Sequence, residues 1–188
     1  MDKIYSGMIL YHGSYCEVRE PYIDKCARYK DFGQGFYLTT SEKQAEAFAK
    51  ISTGRAVSKG IIEDDRTYGV INKFRVTPSE NIREYIFNQA DADWLHCIVA
   101  HRSDAKFKNI VDSMKDFDII AGKIANDNTN ASIAAYMSET FGPVGSESAD
   151  KICISLLLPE RLCNQYCFRT ERSLKCLSFI GSEKVWMK

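Results

Sequence analysis

Hydrophobic and polar positions along the chain alternate between a period of two and a period near 3.6. The apolar run Ile4–Tyr11, ending on Tyr-His-Gly-Ser (Tyr11–Ser14), predicts a buried first strand. Phe36–Thr39 predicts a short second strand. Helical spacing then takes over. Ser41 with Gln44 three residues later makes a capping-box pattern, and Ala45, Phe48 and Ala49 form one stripe. Gly69–Val76 alternates, with Val70, Phe74 and Val76 on one face and Lys73 and Arg75 on the other. Pro78 and Ser79 predict a short helix through Ile82, Tyr85 and Ile86. Ala90–Arg102 predicts a helix burying Trp94, Leu95, Ile98 and Val99, and Asp116–Asp127 a strand running into a turn. Asn128 or Thr129 is the expected cap of a helix carrying Ile133, Tyr136, Met137 and Phe141. The continuous apolar run Lys151–Leu158 predicts a central strand. Gln165–Thr170 and Leu174–Gly181 predict closing strands, or a strand plus a short helix. Helices interspersed without a regular βαβ rhythm point to an α+β fold with mainly antiparallel sheets, one domain over residues 1–188.

Composition narrows the function classes. Lys+Arg and Asp+Glu balance at 25 each, so any nucleic-acid contact must rest on a local patch rather than on a basic excess. No apolar run approaches the roughly 20 residues of a membrane span, and the N-terminal stretch lacks the basic start of a signal peptide. The 7 cysteines are odd in number and no pair has CxxC spacing, which predicts reduced thiols and a cytoplasmic protein. His96 and His101 lie five apart rather than four, so they are expected as helix-surface residues and no metal site is predicted.

Chemistry concentrates in Tyr11–Ser14, Phe32–Thr40 and Asn164–Thr170. The second of these places Gly33 and Gly35 around Gln34, just before Phe36 and Tyr37. No GxGxxG or phosphate-binding loop is present, and this loop leads into a strand rather than a helix. Taken in order, these segments resemble the ADP-ribosyltransferase superfamily in its diphtheria-toxin and poly(ADP-ribose)-polymerase-like branch. Within it, the chain is most similar to a family of small uncharacterised bacterial proteins, domain of unknown function 3990. The shared pattern is YHGS, DFG-x-GFY-x-T, DFD-x-x-x-G-x-x-AND and QY-x-F-x-T with trailing leucines, over Tyr11–Phe179.

The resemblance implies a split antiparallel β-sandwich with flanking helices. It also implies transfer of ADP-ribose from NAD+ as co-substrate, with release of nicotinamide and no metal. By position, His12 corresponds to the histidine that hydrogen-bonds a ribose hydroxyl. The backbone of Gly13, followed by Ser14, would pair with the nicotinamide amide. Tyr37 and Phe48 would flank the pyridine ring, and Gly33 and Gly35 would bend the chain around the dinucleotide. Ala45 stands where the polymerase branch has a serine. Gln165 stands where a catalytic glutamate is usual, which removes a formal charge from beside an oxocarbenium-like transition state. Glu171 is expected on the same strand face but out of reach. Asp31, Asp116, Asp118 and Asp127 are alternative sources of charge, each expected as a solvated loop or turn residue. The implied function is mono-ADP-ribosyl transfer to a protein or nucleic-acid acceptor, as in bacterial toxins or defence effectors with an antitoxin-like partner. A non-catalytic NAD+ or ADP-ribose-binding module and an NAD+ glycohydrolase stay open beside it.

Overall fold

The computed structural model describes residues 1–103, 106–125, 130–157 and 162–187. The predicted cap at Asn128 or Thr129, and Asp127, lie outside them. The strands are β1 (Ile9–Ser14), β2 (Phe36–Leu38), β3 (Tyr68–Val76), β4 (Glu84–Ile86), β5 (Ile119–Lys123), β6 (Asn164–Phe168) and β7 (Leu177–Trp186). The helices are α1 (Glu42–Ser58), α2 (Ala92–Arg102), α3 (Lys108–Ser113), α4 (Asn130–Met137), α5 (Glu147–Leu157) and α6 (Glu171–Leu174). They build a mixed α+β structure with a three-stranded sheet, β1-β3-β7, and a four-stranded sheet, β2-β6-β5-β4. All pairs are antiparallel except β4 with β5. Among the described residues a single bridge, Tyr11 with Thr39, links the edges of the two sheets.

The period-two strands divide their side chains between two cores. Leu10, Phe74 and Val76 from one sheet meet Phe36, Leu38, Ile119, Tyr166 and Phe168 from the other, so this core lies between the sheets. On the far face of the four-stranded sheet, Ile120 and Cys167 meet Trp94, Leu95 and Ile98 of α2, Ile133 and Tyr136 of α4, and Cys153 of α5. Trp94 is fully buried and its Nε1 donates to the Lys123 carbonyl at 3.0 Å, which fixes α2 to the end of β5.

Several elements depart from the predicted ones. The first strand begins at Ile9 rather than Ile4, after a turn at Gly7 with φ +87°, and ends on Tyr11–Ser14 as expected. Tyr85 and Ile86 belong to a strand, where parallel pairing with Ile120 and Ala121 overrides the local helix pattern. Lys151–Leu157 is helical. Ala149, Cys153 and Leu157 recur every four residues on the buried side, while Ile152 and Leu156 are exposed, a pattern a short apolar run cannot distinguish from a buried strand. Glu171 opens α6 and accepts from the Ile23 N–H, so it does not share the strand of Gln165. The α2 helix and its predicted buried residues match.

Candidate active site

The seam between the sheets is where β1 and β2 meet and part. Tyr11 and Thr39 exchange both backbone hydrogen bonds, at 2.8 and 2.9 Å. Continuing that register would set Gly13 opposite Tyr37, yet no backbone pair forms there. The Tyr37 carbonyl instead accepts from His12 Nδ1 at 2.8 Å. Backbone direction alternates along an antiparallel strand, so Gly13, like Tyr11, turns its N–H and C=O away from β3 and into this split.

His12 has one defined protonation pattern. A carbonyl can only accept, so Nδ1 carries the proton and Nε2 keeps a lone pair. Burial pulls the imidazole down to about 4, against the opposing effect of the bond to Tyr37. The ring lies 4.3 Å from that of Phe36, at the mouth of the inter-sheet core. His12 therefore offers a neutral acceptor at physiological pH.

Directly opposed residues of an antiparallel pair share a face. The Tyr11–Thr39 bridge thus joins the α1 side of one sheet to the helix side of the other, and Gly13, Tyr37 and Gln165 lie along one continuous surface. Helix α1 borders it. Ser41 Oγ caps α1 by accepting from the Gln44 N–H, and the helix sits directly on β1. A Cβ on Gly13 would lie 2.1 Å from the Ala45 carbonyl oxygen, so only glycine permits this approach. Phe48, one turn on from Ala45, is 39% exposed on the same helix. Ser14 is buried and its Oγ accepts from the Cys16 N–H at 3.4 Å, turning the chain out of the strand.

Tyr37 spends its hydroxyl internally. Oη donates to the Gly33 carbonyl at 2.8 Å and accepts from the Phe32 N–H at 2.9 Å. Burial keeps the phenol protonated far above its ordinary range, so Tyr37 offers a ring rather than a proton. The two loop glycines are set by packing. Gly33 has φ +79° and lies against the His101 ring, while a Cβ on Gly35 would lie 2.4 Å from Cys167 Sγ.

Gln165 is buried, and its Nε2 donates to Asp31 Oδ2 at 2.7 Å and to the Lys123 carbonyl at 3.3 Å. Asp31 is also buried. It accepts from Arg102 and from the Ala125 N–H, at 3.0 Å for the latter. Asp118 is buried as well, bound by the Arg83 N–H, Thr170 and Arg172. The solvated reading of both aspartates is therefore wrong: each carboxylate is surrounded by donors that replace water. Asp116 is exposed and pairs with Arg83. His101 is buried with Nδ1 on the Cys97 carbonyl, and His96 is half-buried with Nε2 2.9 Å from Asp150, so neither is a free surface histidine. The sequence carries no signal for Arg102, the last residue of a largely buried helix.

Two hollows, of about 630 and 430 Å3, lie away from the seam. One sits beside Asn88, Lys123 and Asp150, and the other beside Arg102 and α4. All seven cysteines are free thiols. Among the described residues no helix is long and apolar enough to cross a membrane. A family model described as a protein of unknown function (DUF3990) matches residues 8–179. No curated protein matches the chain.

Proposed function

The chain belongs to the DUF3990 family, and we propose that it is a mono-ADP-ribosyltransferase of the diphtheria-toxin and polymerase-like branch, using NAD+ as co-substrate. The observation that carries this reading is the split between Gly13 and Tyr37, with a neutral histidine at its edge. A nicotinamide carboxamide needs one donor and one acceptor in a plane, which the Gly13 N–H and C=O supply. The pyridine ring would lie between Tyr37 and Phe48, and His12 Nε2 would accept a ribose hydroxyl proton. Gly33 holds the Tyr37 hydroxyl, and Gly35 keeps β2 close to β6. In the reaction the bond from ribose C1′ to the pyridinium nitrogen breaks and its electron pair leaves with nicotinamide. An acceptor oxygen or nitrogen then bonds to C1′ and releases its proton to solvent. The acceptor is a protein or a nucleic acid. A toxin or defence role with an antitoxin-like partner, in the cytoplasm, rests on analogy within the superfamily.

Gln165 favours a second reading, a module that holds NAD+ or ADP-ribose without turnover. Losing one preorganised electrostatic contact costs about 3 kcal/mol, roughly a hundredfold in rate. Incubating the purified chain with NAD+ and protein or nucleic-acid acceptors separates the readings. Nicotinamide release with a gain in acceptor mass supports transfer. Release without modification makes the protein a glycohydrolase, and saturable binding with neither makes it a binding module.

A further inference from the structure

We propose that the buried Asp31 carboxylate, itself paired with Arg102, orients and polarises the Gln165 amide at the late-strand position, acting as a positioning residue. The inference rests on the NAD+ reading above. Both partners of Gln165 Nε2, Asp31 Oδ2 and the Lys123 carbonyl, can only accept, so the amide has one orientation and Oε1 keeps no partner among the described residues. An amide that donates to an anion is polarised, and its oxygen becomes a stronger acceptor for a ribose hydroxyl and a better partner for developing positive charge. Burial strengthens this effect, since Asp31 is 7% and Gln165 6% exposed. Arg102 and the Ala125 N–H hold the carboxylate in place from its other sides.

Among the described residues the other acidic candidates are committed elsewhere. Glu171 is on α6, Asp118 is bound by Arg83, Thr170 and Arg172, and Asp116 pairs with Arg83 at the surface. The geometry also reverses the simple expectation for a glutamate at position 165. Gln165→Glu would set two carboxylates 2.7 Å apart and lose the hydrogen bond.

The test compares wild type, Asp31→Asn, Gln165→Met and the double variant for NAD+ affinity, nicotinamide release and thermal unfolding. Each single variant is expected to lower kcat on the order of tenfold or more, with a smaller change in affinity. Because Asp31 acts only through the amide, the double variant should be no slower than Gln165→Met alone. Should Asp31→Asn fail to fold, Asp31→Glu, which keeps the charge but displaces it from the amide, should be slowed likewise. A folded Asp31 variant as fast as wild type, or a double variant whose losses multiply, beside an active wild type, overturns the inference alone. A wild type that neither binds NAD+ nor releases nicotinamide overturns the underlying reading, and this inference with it.

Discussion

Two histidine clusters in this molecule differ in what they leave unspent. Between α2, α4 and α5, His96 Nε2 lies 2.9 Å from Asp150, and Tyr136 donates to the other carboxylate oxygen. The Gly145 N–H donates to the Tyr136 hydroxyl at 2.8 Å, and the His96 ring stacks on Phe107 at 4.3 Å. This arrangement has the look of a catalytic dyad, yet the carboxylate oxygens are both occupied and the group ties helices together. At the seam, His12 makes one bond to a carbonyl and keeps Nε2, while Gly13 turns a donor and an acceptor into a split that no strand among the described residues fills. A buried His–Asp pair whose oxygens are both occupied is therefore weaker evidence of chemistry than a histidine that keeps an acceptor nitrogen beside an unpaired strand edge.

The contrast can be broken variant by variant. Asp150→Ala should cost about 3 kcal/mol in denaturant unfolding, because it strands His96 and Tyr136, and should leave NAD+ affinity unchanged. Lost NAD+ affinity in a folded Asp150→Ala protein would make the helix cluster the functional one.

Acid should act on the seam at an unusual pH. His12 is held below its ordinary 6.5, at about 4. The unfolded chain therefore takes up the proton first on acidification. The stability this residue contributes is full above pH 6.5 and is lost as pH falls from 6.5 towards 4. NAD+ binding should stay flat to about pH 5 and fall near 4, and a midpoint near 6.5 in a titration would place another group at the ribose.

Phe48→Ala should weaken NAD+ binding roughly tenfold with little change in stability, because an exposed ring has a partner only when the ligand is present. Tyr37→Phe sharpens the picture most finely. It should cost about 1 kcal/mol of stability through the lost bonds to Gly33 and Phe32, and leave NAD+ affinity within a few-fold. A large loss of affinity would mean that the phenol, not the ring, meets the ligand.

Much of this was legible in the residues themselves. The alternation of Gly69–Val76, the cap at Ser41 and the apolar stripe of α2 each report a local preference that packing reinforces. Lys151–Leu157 misled because four-residue spacing and continuous hydrophobicity overlap in so short a run, and Tyr85 because its strand exists only through β5. The site divides in the same way. His12, Gly13 and Tyr37 stood out as a motif, whereas the link from Gln165 to Asp31 and Arg102 spans 134 positions and depends on burial. Charge reads as solvated until its donors are located in space.

The most direct test of the central claim is nicotinamide release from NAD+ by the wild type and by His12→Ala, with unfolding followed on the same samples. Release by the wild type should fall roughly a hundredfold in the variant while stability drops by about 1 kcal/mol. Equal release by a folded His12→Ala protein, or a wild type that neither binds NAD+ nor releases nicotinamide, would contradict it.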